Sequence, residues 1–305
     1  MALALLFPGQ GSQVVGMGRA LAETYPAAAA VLAEADETLG LPLSRLMGEG
    51  PEEELTATKN AQPAILAHSV AVLRVLQDRL GGVAMAAGHS LGEFSALVAA
   101  GALSFPDALE VVRLRGELMY AAGKLRPGTM AAVLGLGDKA LEDACARVDA
   151  GICVPANFNS SGQIVVSGDL AGVEQGMALF TAAGAKRVLP LNVSGAFHSP
   201  LMEPAARGLR EKLESVSFRD PAFPVFSNVT AGPVTSGAGA RKLLVEQLTS
   251  PVRWAASVAA MVVAGADRFL ELGPGSVLCG LNKRNAKGFS CTSLGEPADI
   301  HSFQG

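Results

Sequence analysis

The stretch Val83-Ala-Met-Ala-Ala-Gly-His-Ser-Leu-Gly92 decides the fold of this chain. Its apolar first half predicts a short buried strand, and the residues that follow it predict a helix. The turn between them, Gly88-His-Ser-Leu-Gly92, has the G-x-S-x-G pattern of a nucleophile elbow, a strained turn that presents a serine to its surroundings. An ordinary glycine-rich turn with a serine cap is the alternative. The strand before and the helix after favour the elbow, and therefore acyl chemistry at Ser90.

Strands and helices alternate on both sides of this turn. Ala2–Phe7 predicts a first strand, and residues 17–36 and 63–80 predict helices, the second with Pro63 in its first turn. A flexible loop is expected at residues 235–240. Beyond residue 196, helices and strands are expected in turn at residues 200–214, 224–228, 252–264, 268–272, 276–283 and 289–293. Such alternation favours a largely parallel sheet covered by helices.

The middle of the chain has a different pattern. Its strands and helices are expected in the order βαββαβ, at residues 130–136, 139–148, 152–156, 163–167, 170–183 and 186–193. This order is the split βαβ or ferredoxin-like pattern, a small unit that can be inserted whole. We therefore expect an α/β fold in which a discontinuous catalytic domain, residues 1–125 and 196–305, is interrupted by a ferredoxin-like subdomain at residues 126–195.

Composition excludes several classes of protein. With 305 residues, a formal net charge of −4 and 5% aromatic residues, the chain lacks the basic surface and stacking rings of a general nucleic-acid binder. Its longest weakly polar stretch, residues 258–266, is far shorter than the roughly 20 residues of a membrane-spanning helix. The N-terminus also lacks the basic region of a signal peptide. We expect a cytoplasmic monomer that binds neither nucleic acid nor membrane.

The cysteines show no spacing typical of a metal site. Cys145, Cys153, Cys279 and Cys291 form no C-x-x-C pair and no ligand pattern with the histidines. Reduced thiols and no bound metal are therefore expected.

A serine nucleophile needs a base, and the histidines are the candidates. His68 lies within a predicted helix and His301 in the polar tail, which favours structural or solvated roles. His89 adjoins Ser90, but neighbouring side chains diverge on a sharp turn. His198 follows the last strand of the small subdomain, and a base after its nucleophile matches the chain order of α/β-hydrolases. A purely structural histidine is the alternative there too.

Two further features invite a functional interpretation. Gly9-Gln-Gly-Ser-Gln13 follows the first strand, but Val14 replaces the third glycine of a dinucleotide-binding loop, so its N–H groups are better suited to an oxyanion. Arg113 and Arg115 lie on the helix that is predicted after Ser104. Each arginine could be an ordinary solvated residue on the helix face or a bidentate partner for a substrate carboxylate. The sequence alone does not show which of the two arginines, Arg113 or Arg115, has the second role.

Six motifs occur in order along nearly the whole chain. They are Phe7-Pro-Gly-Gln-Gly-Ser-Gln13, Gly88-His-Ser-Leu-Gly-Glu93, Arg115-Gly116, Asn157-Phe-Asn159, Phe197-His-Ser199 and Gln247-Leu-Thr-Ser-Pro-Val-Arg-Trp254. Together they closely resemble the malonyl-CoA:acyl-carrier-protein transacylases of bacterial fatty-acid synthesis, a family that includes acyltransferase domains of polyketide synthases. The resemblance implies an α/β-hydrolase-like large domain with a ferredoxin-like insert.

The resemblance also implies roles for individual residues. Ser90 is the acylated nucleophile, His198 its general base, and Arg115 the partner of the free malonyl carboxylate. The main-chain carbonyl of Gln247 orients the histidine in place of an Asp or Glu. The remaining candidates are the oxyanion-hole N–H groups of Gln10 and Leu91, and the substrate-site residues Asn157, Asn159 and Phe197.

The implied reaction is ping-pong transfer of a malonyl group from malonyl-CoA to the phosphopantetheine thiol of acyl carrier protein through a malonyl-serine ester. No cofactor is implied, since both thiols belong to substrates. The bulk of Phe197 favours malonyl over methylmalonyl. Alternatives are a trans-acting acyltransferase of a polyketide synthase, a serine thioesterase or hydrolase, and a non-catalytic carrier-binding module. Because carrier proteins are acidic, Lys186-Arg187 and Lys283-Arg284 are candidate docking residues, with ordinary solvated charge as the alternative.

Overall fold

Two β-sheets organise the protein, whose computed structural model describes residues 2–304. In chain order, the strands of that range are β1 (Ala2–Phe7), β2 (Val83–Gly88), β3 (Gly128–Leu134), β4 (Cys153–Ser160), β5 (Gln163–Asp169), β6 (Arg187–Leu191), β7 (Val225–Phe226), β8 (Pro233–Val234), β9 (Ala266–Leu272) and β10 (Ser290–Leu294). The helices are α1 (Arg19–Thr24), α2 (Pro26–Leu39), α3 (Leu43–Glu49), α4 (Glu52–Thr56), α5 (Thr58–Leu76), α6 (Gly92–Ala99), α7 (Phe105–Leu125), α8 (Asp138–Cys145), α9 (Leu170–Ala182), α10 (Glu203–Glu214), α11 (Gly237–Glu246), α12 (Trp254–Val263), α13 (Val277–Asn285) and α14 (Pro297–Ser302). Between residues 2 and 304, no helix combines the length and the apolarity that crossing a bilayer requires.

The larger sheet is mainly parallel and has six strands in the order β10-β9-β1-β2-β7-β8. Its central strand, β1, runs parallel to β2 and β9, whereas β8 runs antiparallel to β7. Phe7 pairs with Gly88, so β1 and β2 end at the same edge of the sheet. The turn after β1 therefore lies beside the turn after β2, at the edge where open α/β folds hold their ligands.

Both faces of this sheet are covered. Leu5 and Phe7 belong to one apolar cluster with helices α2, α5 and α7, whereas Ala4 and Leu6 belong to a second cluster with Phe226 and Trp254. A strand that is buried on two sides needs an unbroken apolar run, which explains the sequence of β1.

The smaller sheet is antiparallel, with the order β4-β5-β3-β6, and α8 and α9 cover it around a separate apolar cluster. Two main-chain hydrogen bonds join it to the rest of the molecule. The Phe158 N–H donates to the Val252 carbonyl, and the Val252 N–H donates to the Ala156 carbonyl, both at 2.8 Å. The expected combination of a mixed α/β fold, a parallel sheet and a separate antiparallel sheet is confirmed.

Prolines account for two differences from the expected helices. The single helix expected over residues 17–36 is two helices, because Pro26 occupies the first position of α2. Pro63 lies inside α5, which begins at Thr58, so its expected place in a first turn is wrong. Since proline has no N–H, the Lys59 carbonyl loses its helical donor. Arg113 on α7 supplies a replacement, because its Nη1 donates to that oxygen at 3.2 Å.

The expected flexible loop at residues 235–240 is also wrong, because α11 begins at Gly237. The Ser236 hydroxyl accepts a hydrogen bond from the Gly239 N–H at 3.2 Å and caps the helix. Ala240 and Leu244 then bury one helical face. Because the segment is rich in glycine, neither the serine cap nor the apolar helical face was recognised from the sequence.

The cysteines form one disulfide, which corrects the expectation that all are reduced. Cys279 on α13 is bonded to Cys291 on β10, with their Cα atoms 5.3 Å apart. The residue spacing could not reveal this pair, since it arises from the packing of α13 along β10. Cys145 and Cys153 are free thiols.

Candidate active site

Ser90 lies at the sharp turn between β2 and α6. Its backbone φ is 50°, a left-handed conformation that is strained for a residue with a side chain. The turn closes tightly enough that a Cβ on Gly88 would lie 1.8 Å from the carbonyl carbon of Gly92. Glycine is therefore required there. The geometry is that of the expected elbow, with the serine hydroxyl raised above the carboxyl edge of the sheet.

His198 is the histidine that contacts this serine. Its Nε2 lies 2.8 Å from Ser90 Oγ, and its Nδ1 lies 2.8 Å from the main-chain carbonyl oxygen of Gln247. Because a carbonyl only accepts, Nδ1 carries the proton and Nε2 is free to accept one from the serine. Burial, and then the charge of Arg115, lower the pKa of His198 to about 3, so the ring is neutral at pH 7.

Arg115, rather than Arg113, points into the site. Its Nη2 donates to Ser90 Oγ at 3.1 Å and to Gln247 Oε1 at 2.9 Å, and its Nη1 donates to Gln62 Oε1 at 2.6 Å. Burial lowers the pKa of Arg115 to about 10, which still leaves it protonated at neutral pH. A cation beside Oγ favours the anionic form of the serine and offers a partner for a carboxylate. Arg113 instead pairs with Glu117 on its own helix.

The N–H groups of Gln10 and Leu91 lie on the two neighbouring turns, after β1 and after β2. Within residues 2–304, neither has a hydrogen-bond acceptor. Both residues border the same cavity as Ser90. Two free N–H donors beside a serine hydroxyl are suited to stabilising an oxyanion.

A cavity of about 420 Å³ contains these groups. Its wall includes, of the residues singled out from the sequence, Gln10, Ser90, Leu91, Arg115, Asn157, Asn159, Phe197 and His198. Gln247 lies behind the wall, where it contacts His198 and Arg115. Apolar residues from the antiparallel sheet, from α7 and from α13 also line the cavity: Met119, Met130, Val165, Leu191, Val277, Leu278 and Leu281.

The two asparagines on β4 differ in what they contact. Asn159 Oδ1 lies 2.8 Å from His89 Nε2, and its carbonyl accepts from Asn285 Nδ2 at 2.8 Å. His89 packs against Trp254, with ring centroids 5.6 Å apart. His89 is therefore turned toward β4 and away from Ser90 Oγ. Asn157 is buried at the cavity wall, next to the junction with Val252.

The other two histidines take no part in the site. His68 is fully buried in α5, and neither ring nitrogen has a partner among the residues that the structure describes. His301 is exposed on α14. No group of three or more His, Cys, Asp or Glu residues between positions 2 and 304 is arranged to hold a metal ion.

Sequence reasoning missed three residues that hold this site together: Gln62, Glu93 and Asn228. Asn228 Oδ1 accepts from the Ser90 N–H at 2.6 Å, and its Nδ2 donates to the Gly88 carbonyl at 2.7 Å. Glu93 Oε2 accepts from Gln247 Nε2 at 2.7 Å. Burial raises the pKa of Glu93 and hydrogen bonds from Gln247 and Asn228 partly offset this increase, so that the pKa is about 7. A carboxylate within the apolar run of α6 was a signal for Glu93, and the position of Asn228 just after β7 was a signal for that residue.

Comparison with known proteins identifies the family. A model of the acyl transferase domain matches residues 4–298. The malonyl CoA-acyl carrier protein transacylase of Bacillus subtilis strain 168 is 48% identical over 300 residues, which cover 98% of this chain and 95% of that protein. The chain belongs to the malonyl CoA-acyl carrier protein transacylase family. The enzyme of the same name from Escherichia coli K12 is 46% identical, over 97% of this chain and 96% of that one.

Solved transacylase structures share the whole fold. An acyl carrier protein S-malonyltransferase from Vibrio cholerae has a TM-score of 0.95 and 44% identity, and the match covers 99% of each chain. A malonyl-transacylase solved in complex with a type II polyketide acyl-carrier protein also has a TM-score of 0.95, with 43% identity over 100% of this chain and 99% of that one. The resemblance drawn from the six motifs is confirmed, and the chain is an acyltransferase.

Proposed function

We propose that this transacylase transfers the malonyl group of malonyl-CoA to the phosphopantetheine thiol of acyl carrier protein, for fatty-acid synthesis. The names of its close relatives support this activity. The observation that carries it is the Arg115 guanidinium, buried and 3.1 Å from Ser90 Oγ. A malonyl group has a free carboxylate that a buried cation can bind, whereas a simple acyl ester has none.

In the first half-reaction, Ser90 Oγ attacks the thioester carbonyl while His198 Nε2 takes the hydroxyl proton. The carbonyl oxygen becomes an oxyanion, which the N–H groups of Gln10 and Leu91 stabilise. The carbonyl of Gln247 holds the Nδ1 proton of the imidazolium that forms. When the tetrahedral intermediate collapses, the C–S bond breaks, His198 returns its proton to the sulfur, and CoA leaves a malonyl ester on Ser90.

The second half-reaction follows the same course in reverse. His198 takes the proton of the carrier's phosphopantetheine thiol, and the thiolate attacks the ester carbonyl. The C–O bond to Ser90 then breaks and the serine recovers its proton. The chemistry needs no cofactor, because the two thiols enter and leave as substrates.

The acyl group lies between Arg115 and Phe197 in this proposal. Phe197 is buried and borders the cavity, so its ring would crowd an α-methyl branch. We assign Asn157 to the same wall as a substrate contact. Asn159 acts through His89, whose Nε2 it meets at 2.8 Å.

The architecture fits an α/β-hydrolase-like catalytic domain at residues 1–125 and 196–305 with a ferredoxin-like insert at 126–195. The strand order β4-β5-β3-β6 supports the insert, since it places the first and third of its strands side by side in the centre. The elbow after β2, with the base later in the chain, supports the hydrolase-like part.

The carrier protein would dock beside the cavity mouth. Lys283 and Arg284 are exposed at the end of α13, and Arg284 Nη1 donates at 2.9 Å to Oε1 of Gln163, a residue of the cavity wall. Lys186 and Arg187 are exposed on the antiparallel sheet. An acidic carrier suits either pair. We further propose a cytoplasmic monomer that binds neither nucleic acid nor membrane.

Intact-mass measurements test the function. Incubation with malonyl-CoA should add one malonyl group that is absent from a Ser90→Ala variant, and holo acyl carrier protein should then remove it as malonyl-carrier. Loss of the adduct to free malonate would indicate a hydrolase instead. Similarity to the polyketide-associated malonyl-transacylase supports a second candidate carrier, so fatty-acid and polyketide carriers should be compared at equal concentration.

A further inference from the structure

Two side chains hold the main chain of the strained Ser90. Asn228 Oδ1 accepts from its N–H at 2.6 Å, and Gln247 Nε2 donates to its carbonyl oxygen at 3.0 Å. A left-handed conformation at a non-glycine residue persists only where surrounding contacts enforce it. These two contacts act on the two sides of the Ser90 Cα, so they fix the direction in which Oγ projects.

The two residues that hold Ser90 both donate a hydrogen bond to the same carboxylate oxygen. Glu93 Oε2 accepts from Gln247 Nε2 at 2.7 Å and from the Asn228 main-chain N–H at 3.2 Å. Glu93 is 3% exposed, so these bonds form away from solvent. Gln247 is also the residue that holds Arg115 through Oε1 and His198 through its carbonyl. A displacement of the Glu93 carboxylate would therefore also shift Ser90, His198 and Arg115.

We propose that Glu93 is a positioning residue for acyl transfer: its Oε2 accepts hydrogen bonds from both Gln247 and Asn228 and so holds Ser90, His198 and Arg115 in their relative positions. The inference rests on the proposed function, since acyl transfer is the reaction that requires these relative positions. Glu93 forms no hydrogen bond with Ser90 Oγ or with His198, so it acts through its neighbours and takes no proton in the reaction. What the role requires is a hydrogen-bond acceptor at this place.

The experiment compares Glu93→Ala, which removes the acceptor, with Glu93→Gln, which keeps an acceptor and loses the charge. Rapid-quench intact mass gives the rate of Ser90 acylation at each malonyl-CoA concentration, and a fluorophosphonate counts the serines able to react. Glu93→Ala should acylate about a hundredfold more slowly with KM within about threefold of wild type, because misplacement of reacting atoms by about 1 Å has effects of this size. Glu93→Gln should remain within about threefold of wild type.

Asp169→Ala is the matched control, because Asp169 also accepts two main-chain hydrogen bonds, from Ile152 at 2.7 Å and Gly172 at 2.8 Å, within the antiparallel sheet. It should lower Tm and keep the wild-type acylation rate. If Glu93→Ala yields no folded protein, Glu93→Asp, which withdraws the oxygen by one methylene, should be about tenfold slower than Glu93→Gln.

Three results overturn the inference. The first is a wild-type rate per reactive serine in Glu93→Ala, which would make the residue merely structural. The second is equal slowing of the Gln and Ala variants, which would make the charge decisive. The third is Glu93→Asp as fast as Glu93→Gln. A wild-type protein that reacts with the fluorophosphonate and forms no malonyl adduct would refute the proposed function alone, and the fluorophosphonate rates of the variants would still decide the role of Glu93.

Discussion

Replacement of Arg115 by methionine removes the charge that the proposed reaction uses to select its substrate, and it keeps most of the side-chain length. In the structure the guanidinium lies 3.1 Å from Ser90 Oγ, with Gln62 and Gln247 fixing its plane. A malonyl ester on Ser90 would therefore bring its carboxylate within reach of the guanidinium, and an acetyl ester would bring a methyl group.

The expected effect follows from the bonds lost. A hydrogen bond to a charged group contributes about 1.5–3 kcal/mol, and a guanidinium can offer two to one carboxylate. Loss of about 3–4 kcal/mol corresponds to a decrease of roughly 10²–10³-fold in kcat/KM for malonyl-CoA. For acetyl-CoA the decrease should stay within about tenfold, because, of the hydrogen bonds that Arg115 loses, only the one to Ser90 Oγ involves a reacting atom.

The assay is transfer to holo acyl carrier protein, followed by intact mass with malonyl-CoA and acetyl-CoA in separate reactions. Arg113→Met is the control, since Arg113 lies on the same helix and pairs with Glu117 outside the cavity. Its kinetics should stay within about twofold of wild type. If Arg115→Met lowers kcat/KM for malonyl-CoA and acetyl-CoA by the same factor, the guanidinium does not bind the malonyl carboxylate and the proposed role of Arg115 is wrong.

Three further predictions concern the cavity and the buried histidines. Phe197→Ala should raise kcat/KM for methylmalonyl-CoA relative to malonyl-CoA by about 10–100-fold, which competition between the two CoA esters would reveal. Because burial and Arg115 lower the pKa of His198 to about 3, the acid limb of kcat/KM should fall below pH 5, and an inflection near 6.5 would contradict this. Burial lowers the pKa of His68 from 6.5 to about 4. As the pH falls below 6.5, His68 is therefore protonated in the unfolded state but not in the folded state, which lowers the free energy of unfolding. Between pH 7 and pH 4.5, urea titrations should therefore show a loss of unfolding free energy about 2–3 kcal/mol smaller in His68→Leu than in wild type, and equal losses would exclude this role.

The parts of the fold that the sequence predicted are those with a strong local pattern. The apolar run of β1, the turn at Ser90 and the βαββαβ order of the antiparallel sheet all follow from periodicity and glycine placement. The wrong expectations arose where tertiary contacts override local pattern. Pro63 is accommodated in α5 by a donor from another helix, and α11 forms in a glycine-rich segment because its Ala and Leu face is buried.

The same division holds for the site. Ser90 and His198 could be found from motif and chain order, and the structure brings them to 2.8 Å. The choice of Arg115 over Arg113 depended on which face of α7 meets the cavity, which only resemblance supplied beforehand. Glu93 and Asn228 were missed because their contacts join segments more than a hundred residues apart in the chain.

The pairing of Val252 with β4 has a consequence for engineering. The loop that presents the Gln247 carbonyl to His198 ends in hydrogen bonds to Ala156 and Phe158 on the antiparallel sheet. A chimera that exchanges this sheet between relatives would therefore separate the loop that supports His198 from its hydrogen-bond partners on β4. Crossover points that transfer residues 247–252 together with the sheet keep donor and acceptor from the same parent, and libraries designed at those points should retain more active members.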